Sequence, residues 1–302
     1  MPENISKFDF HLHTCWSYDA TAPVEYYFAA AEAAGMSHIA ITEHHHMDSF
    51  AEVQEAAARH PGVAYIPAAE LTVYTEVGTF DMVCLNLPVN PGKELLDVFE
   101  MYHQWQRDCG DASSYAFTTA GFPYTKEDRL MLLQRYRPQK AIDVQGITHV
   151  QGGLQRDYLL NEKGYFKDAD TMYDLRMKYP VVHYPEAEKV IPAVKRAGGL
   201  VFIAHPQGYF NGKDLKRIEE LRERLDFDGI ECAHTSVDAE HRAFYREYCL
   251  KNGLLSTAGS DVHCAPGDKY KWGEKCKLGV HGGEERYLEE ILERVQCFRG
   301  DK

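Results

Sequence analysis

The sequence predicts an α/β protein in which a parallel barrel is interrupted by a helical insertion. Three observations predict it. Strand-like and helix-like segments alternate near both ends of the chain. The stretch between them, residues 88–185, is mainly helical or irregular in character. Histidines and carboxylates recur just after the strand-like runs. The third observation matters because side chains from successive strands of a parallel α/β barrel converge at the strands' C-terminal ends.

Residues 7–11 read as the first strand, ending in His11-Leu12-His13. Residues 23–34 read as a helix, with proline near its start and Gly35 as its stop. Residues 37–42 form the second strand, followed at once by Glu43-His44-His45-His46. Ser49 and Glu52 have capping-box spacing and open the next helix. Residues 63–69 read as the third strand, with Glu70 just past it, and residues 79–87 as the fourth. Helical text then dominates, at 94–107, 126–135 and 153–163. Alternation resumes with a helix over 185–197 and a strand over 200–204, followed by His205-Pro206. A helix over 215–225 precedes a strand over 229–232 that carries Glu231. A helix over 237–251 leads to the seventh strand, 254–258, and then Gly259-Ser260-Asp261-Val262-His263. Residues 284–298 close the chain as an amphipathic helix. The expected organisation is a barrel from residues 1–87 and 186–302, with 88–185 as an inserted helical cap.

The bulk properties exclude several classes. A chain of 302 residues, 44% apolar and 26% charged, can bury a sizeable core as one large domain or two ordinary ones. No stretch approaches the roughly 20 consecutive apolar residues that span a bilayer, so no membrane partner is expected. The opening MPENISKFDF has no basic segment followed by an apolar run, so a secretory signal is not expected. A net charge of -13 argues against duplex nucleic acid, whose binding relies on basic patches. Bound metal ions can still reverse the field locally and admit a phosphate. The eight cysteines are scattered without a C-x-x-C pair; they read as reduced thiols of a cytoplasmic protein, not as a zinc ribbon.

The chemistry lies in histidine, of which there are 15. His11 and His13 are two apart on a strand, so both imidazoles face one side and can reach one ion. Asp19, in the following loop, can supply an oxygen ligand. Asp261 and His263 repeat the i, i+2 arrangement after the last strand. His44 sits at the end of the second strand, with His45 and His46 as neighbours, and periodicity alone does not choose which points inward. Glu70 ends an apolar run in a single carboxylate, and His205 follows another such run. Together these are eight candidate ligands, His11, His13, Asp19, His44, Glu70, His205, Asp261 and His263. One closed tetrahedral zinc site takes four ligands, so the set suits two or three ions bridged by carboxylates. Mixed imidazole and carboxylate ligation fits zinc, manganese or iron and does not choose among them.

These motifs resemble those of the PHP (polymerase and histidinol phosphatase) superfamily. The resemblance rests on His11-x-His13, the Thr-Glu-His44 turn, Glu70, Ala204-His205-Pro206 and Gly259-Ser260-Asp261-x-His263, over residues 7–85 and about 184–264. It implies a distorted seven-stranded (β/α)7 TIM-like barrel, a dinuclear or trinuclear metal centre, and phosphoesterase chemistry. The stand-alone phosphoesterases with a helical insertion after the fourth strand are the most similar. In them a histidine and an arginine of the insert hold the substrate phosphate, which points here to His149 and Arg156. The chain departs from the family at four places. The insert arginine position holds His149. The histidine of the fourth strand is absent, with Asp81 lying nearest. Asp-Gly becomes Tyr18-Asp19-Ala20, and the arginine after His-Pro is missing from Gln207-Gly208-Tyr209.

The expected activity is hydrolysis of a small phosphate ester by a metal-activated water. His205 and His263 are the candidate proton donors to the leaving alkoxide. The alternatives are metal-dependent hydrolysis of a C–N or carboxylic ester bond, a nuclease, and a non-catalytic metal-binding regulatory domain. No G-x-S-x-G elbow, P-loop or dinucleotide fingerprint competes.

Overall fold

The structure is a computed structural model that describes residues 5–270 and 275–300. In chain order the elements are β1 (Phe8–Leu12), α1 (Val24–Ala33), β2 (His38–Ile41), α2 (Phe50–Arg59), β3 (Ala64–Tyr65), β4 (Ala68–Thr75) and β5 (Gly78–Leu85). A helical stretch follows: α3 (Lys93–Thr119), α4 (Lys126–Leu133), α5 (Gln139–Gln145), α6 (Gly152–Asp157) continued by a wider turn over Tyr158–Glu162, and α7 (Ala169–Arg176). The chain ends with α8 (Ala187–Arg196), β6 (Leu200–Ile203), α9 (Leu215–Leu225), β7 (Gly229–His234), α10 (Ala239–Asn252), β8 (Leu255–Gly259) and α11 (Glu285–Leu292).

The strands do not close a seven-stranded barrel. They form a three-stranded parallel sheet, β1-β2-β3, and a five-stranded mixed sheet, β4-β5-β6-β7-β8. The cause is local. Pro67 cannot donate to a ladder, and the run expected as one strand over 63–69 divides there into β3 and β4. β4 then runs on to Thr75, so Glu70 lies inside a strand and not just past one. Only Glu76 and Val77 separate β4 from β5, and a connection that short returns the chain antiparallel. β5 pairs antiparallel with β4 and with β6, which breaks the βα alternation on which the barrel expectation rested.

The sheet edges nevertheless meet at one place. His13 N–H donates to the Val262 carbonyl at 3.0 Å and Asp261 N–H to the His11 carbonyl at 2.8 Å, joining the ends of β1 and β8. On the other side His45 N–H reaches the Glu70 carbonyl at 2.7 Å, and Glu70 N–H the Glu43 carbonyl at 3.0 Å. The two sheets therefore deliver their polar termini to a common centre.

Three apolar clusters hold the elements. One surrounds the five-stranded sheet, with Leu71, Val73, Met82, Phe202 and Ile230 fully buried. A second packs α1 and α2 on the three-stranded sheet through Leu12, Tyr27, Phe28, Ile39 and Val53. A third, including Phe117, Tyr124, Leu132, Leu159 and Met172, lies among α3–α7, while the first turns of α3 pack into the main core through Leu95, Val98, Phe99 and Tyr102. Each large side chain so buried contributes about 1.5–3 kcal/mol. Two end signals differ from expectation. Ser49 makes no side-chain cap on α2, because its hydroxyl bonds the buried Glu43 carboxylate, while Glu52 is engaged by the Trp16 indole N–H at 2.9 Å. α11 stops at Leu292, and the chain beyond it pairs Phe298 with Tyr65 as an extended edge. No helix among the described residues is long and apolar enough to cross a membrane.

Candidate metal centre

Glu70 is the hub. Its Oε2 lies 3.3 Å from His11 Nε2, 3.3 Å from His13 Nε2 and 3.1 Å from His44 Nδ1, and its Oε1 lies 3.2 Å from His205 Nε2. Asp261 Oδ1 approaches His11 Nε2 at 3.5 Å and His13 Nε2 at 3.2 Å. Asp19 places one oxygen 3.4 Å from His44 Nε2 and the other 3.6 Å from His263 Nε2. All eight residues singled out in the sequence therefore stand in one cluster.

The structure adds residues beyond the eight candidate ligands. β7 runs two residues further than expected and ends in His234, whose Nε2 is 3.5 Å from Asp261 Oδ2. The signal was present, since His234 is again a histidine at a strand end. Asp81 lies 3.7 Å from His205. Glu231 receives His11 Nδ1 at 2.9 Å and, through its other oxygen, the His205 backbone N–H at 2.7 Å. Of the three consecutive histidines, only His44 brings its ring to the Glu70 carboxylate. His45, at φ 77°, turns to Thr72 Oγ1 at 2.9 Å and stacks on Tyr102, and His46 meets Gln145 at 2.9 Å.

Backbone strain accompanies the site. His205 (φ 29°) and Asp261 (φ 58°) occupy left-handed conformations, which cost a non-glycine residue about 1–3 kcal/mol. The Glu231 carboxylate holds the first, and the β1–β8 backbone bond holds the second. Gly259 makes that junction possible: a Cβ there would stand 2.1 Å from His11 Cβ and 2.7 Å from His11 N. Asp9 locks it from below, accepting from Ser260 N–H at 3.0 Å, Gly279 N–H at 2.8 Å and the Ser260 hydroxyl. Glu43 similarly takes the Thr14 and Ser17 hydroxyls, and Ser17 Oγ accepts the His44 N–H at 2.9 Å.

Burial penalises every charge in this cluster, and mutual attraction outweighs it at most positions. Glu70, Asp19 and Asp261 are held well below the usual carboxylate range by the histidines around them. Burial opposes protonation of His205 and His263, yet their carboxylate neighbours carry both up to about 9. Burial, reinforced by His44 and His263, pushes His13 down to about 3. The donor set fits divalent ions. Buried His11 Nε2, His13 Nε2, His44 Nδ1 and His234 Nε2 make no hydrogen bond although carboxylate oxygens stand close by. Four trios each place their ligand atoms within 4.8 Å of one another: His13-His44-His263, His11-His13-Glu70, His11-His234-Asp261 and Glu70-Asp81-His205.

Two further residues were singled out as phosphate contacts. His149 lies beside the cluster: its ring is 4.4 Å from that of Tyr18, which stands 5.0 Å from that of His44. Its Nδ1 faces the Gln106 carbonyl at 3.3 Å, and burial pushes its imidazole down to about 4. Arg156 is half-buried in the last turn of α6 and makes no hydrogen bond or ion pair with the described residues.

Two solved structures share this α/β fold. One, provisionally assigned as a metal-dependent phosphoesterase, is from Bifidobacterium adolescentis; it is 23% identical, covers 97% of this chain and 98% of its own, and has a TM-score of 0.71. The other, an amidohydrolase from Chromobacterium violaceum solved with bound sulfate and no metal, is 20% identical, covers 98% and 99%, and has a TM-score of 0.69. No curated protein matches the sequence. The PHP domain model matches residues 9–181, and the chain belongs to that family.

Proposed function

We propose that the protein is a metal-dependent hydrolase and, more finely, a phosphoesterase acting on a small phosphate ester. The observation that carries this is the position of Glu70, whose two oxygens face four histidines. A carboxylate so placed suits a bridge between ions. In this reading His11, His13, Asp19, His44, Glu70, His205, Asp261 and His263 hold two or three divalent ions, zinc, manganese or iron, with His234 as a ninth ligand.

Bound ions would supply a water nucleophile at neutral pH and offset the charge that develops on phosphorus oxygens. The chain's own residues orient and shield that chemistry. Glu231 fixes the His11 ring by accepting its Nδ1–H, which leaves Nε2 for the centre. His205 or His263, the most exposed histidines of the original set together with His44, passes a proton to the leaving group only where that ring does not ligate an ion. Helices α3–α7 are read as a cap over residues 88–185. Tyr136 O–H donates to the Tyr18 carbonyl at 2.7 Å, so the helical stretch bears on the loop that presents Asp19. His149 and Arg156 are the proposed substrate contacts, Arg156 because a guanidinium offers paired donors to phosphate oxygens.

A second reading, hydrolysis of a C–N or carboxylic ester bond on the same cluster, is favoured by the aromatic character of the neighbourhood. Tyr18, His149, Trp105 and Tyr184 form a continuous series of ring contacts, and no lysine or arginine pairs with Asp19, Glu70 or Asp261 among the described residues. The test is to load metal-free protein separately with manganese, zinc or iron and to assay phosphate esters, amides and carboxylic esters in parallel. Metal-dependent phosphate release is the expected result. Turnover confined to amides or carboxylic esters would transfer the assignment to the second reading. No metal uptake and no turnover would overturn both.

A further inference from the structure

We infer that Tyr184 is the proton donor to the leaving alkoxide, presented to the metal centre by an aromatic rim that also carries Tyr18. The inference rests on the reading above that the protein is a phosphoesterase, and it assigns a catalytic residue outside the metal-ligand set.

The reaction needs such a donor. An alkoxide departs from phosphorus as a strong base, and a positioned acid that protonates it raises the rate. His205 and His263 both belong to the proposed ligand set. A ligating imidazole is already neutral, so it has no acidic proton to give. The proton then has to come from beside the cluster.

Six rings close a circuit there. Between centroids, His44 and His45 stand 5.6 Å apart, His45 and Tyr184 5.7 Å, and Tyr184 and Trp105 4.0 Å. Trp105 and His149 follow at 5.4 Å, His149 and Tyr18 at 4.4 Å, and Tyr18 and His44 at 5.0 Å. His44 is also a proposed ligand, so the circuit borders the metal centre. The Trp105 N–H donates to the Val182 carbonyl at 3.3 Å. His45 Nε2 donates to Thr72 Oγ1 at 2.9 Å, and its Nδ1 accepts from the Gln106 side-chain amide at 3.4 Å. His149 Nδ1 donates to the Gln106 carbonyl at 3.3 Å. The Tyr18 and Tyr184 hydroxyls make no hydrogen bond with the described residues.

Of these two phenols, Tyr184 is the better placed to keep a proton and deliver it. Tyr18 adjoins the ligand Asp19 and stacks on the His44 ring, so an ion held by those residues acts on it directly. The ring contacts of Tyr184 are Trp105 and His45, neither a proposed ligand. The Tyr74 N–H donates to the Pro185 carbonyl at 2.9 Å, which ties this part of the chain to β4, the strand that carries Glu70. Burial pushes the Tyr184 phenol up, and Asp81, Cys109, Asp19 and Glu70 act in the same direction. Such influence falls with distance, so acids from both ends of the cluster and from its middle lie within reach of the hydroxyl. The phenol is protonated at neutral pH and moves towards an alkoxide in basicity. That suits a donor that yields its proton only as the alkoxide forms.

The step balances. As the bond between phosphorus and the ester oxygen breaks, the departing oxygen takes the Tyr184 proton and leaves as an alcohol. The attacking water forms the new bond to phosphorus and gives one proton to solvent, and solvent returns one to the phenolate. The sum is ester plus water to alcohol plus phosphate.

The experiment compares wild type with Tyr184→Phe and Tyr18→Phe, each loaded with manganese or zinc, on two phosphate esters. One is an alkyl phosphate, whose leaving group needs a proton. The other is p-nitrophenyl phosphate, whose leaving group departs as a stable anion. Elemental analysis and thermal melting control for metal content and folding. In Tyr184→Phe, kcat on the alkyl phosphate is expected to fall about a hundredfold or more, the usual share of a general acid, and on p-nitrophenyl phosphate less than about tenfold. Losses of equal size on both esters, or no loss on the alkyl ester, would overturn the inference. So would a selective loss on the alkyl ester in Tyr18→Phe alone. Wild type inactive on both esters would instead defeat the phosphoesterase reading, and the inference with it. If Tyr184→Phe does not fold, 3-fluorotyrosine at position 184 decides, because it keeps the hydroxyl and makes it more acidic. A changed rate confined to the alkyl ester is then expected, and rates equal to wild type on both esters overturn the inference.

Discussion

Glu231 and His11 meet at 2.9 Å between Oε1 and Nδ1, across β7 and β1, and the same carboxylate takes the His205 backbone N–H through its other oxygen at 2.7 Å. One buried acid thus sets the orientation of one imidazole and holds the strained backbone of another. Glu231→Gln keeps the shape but offers only one acceptor oxygen. One of the two buried donors is then left opposite an amide N–H. The expected outcome is a stability loss of about 1–3 kcal/mol and a fall in metal affinity of about tenfold to a hundredfold. Thermal melting with and without metal, together with a metal titration, checks both.

Gly259 is the second sensitive point. Because a Cβ there would sit 2.1 Å from His11 Cβ, Gly259→Ala forces β1 and β8 apart where His11 and Asp261 are presented. Overpacking of this kind costs about 1–3 kcal/mol or more. Melting should show the loss in metal-free protein, and metal affinity should fall with it. Unchanged melting and metal binding would show that the junction yields without cost.

The fold was only partly legible in the sequence. The i, i+2 spacings of His11-His13 and Asp261-His263 carried their geometry openly, because a strand's period of two places both side chains on one face. The hairpin of β4 and β5 was not legible in the same way. Residues 71–79 carry no strong turn signal beyond Gly78, and reading Glu70 as a strand end concealed that β4 continues to Thr75. The two-sheet arrangement follows from that antiparallel return, so the barrel expectation failed at the same place. His234 was hidden by a strand read two residues short. Glu231 and Asp9 act through hydrogen bonds made across sheet edges, and no local pattern announces such partners.

Glu70→Gln tests the bridging role. The amide keeps the volume and removes the charge that faces His11, His13, His44 and His205. Outer-shell substitutions cost about ten- to a hundredfold in affinity or activity, so a bridging ligand should cost more than about a hundredfold in activity, with loss of at least one ion. Elemental analysis of the purified variant provides the check, and full metal content would contradict the role.

Metal loading should release protons. In the ion-free cluster, His205 and His263 are carried up to about 9 by Glu70, Asp81, Asp19 and Asp261, against the effect of burial. Both therefore hold protons at neutral pH, whereas a ligating imidazole must be neutral. Against the effect of burial, the carboxylates around His11 and His44 also hold those two imidazoles well above their ordinary value, so loading at pH 7.5 expels on the order of four protons per chain if all four residues ligate. The share from His205 and His263 should shrink as pH rises through about 9, where those two imidazoles are already neutral. His13, pushed down to about 3, contributes none above that range. A pH-stat titration, or calorimetry in two buffers of different ionisation enthalpy, measures the number. Release that is absent at pH 7.5, or that grows with pH, would contradict the assignment of these two residues as ligands.

The two proposed substrate contacts should separate by charge. Burial keeps His149 neutral at pH 7, with its imidazole pushed down to about 4, and the Gln106 carbonyl 3.3 Å from Nδ1 takes that N–H. Nε2 is then an acceptor, suited to a hydroxyl or a protonated phosphate oxygen and unable to neutralise an anion. Arg156 is the cation of the pair, and no described residue engages its guanidinium. Arg156→Ala should raise KM for a phosphate ester, or lower kcat/KM, by about tenfold, the equivalent of one charge-assisted hydrogen bond, with metal content unchanged. His149→Phe retains the ring beside Tyr18 and should cost less, mostly in KM. Steady-state kinetics on the best phosphate substrate, paired with elemental analysis, distinguish the two. Kinetics in Arg156→Ala identical to wild type would move recognition of the phosphate onto the metal ions and the aromatic rim.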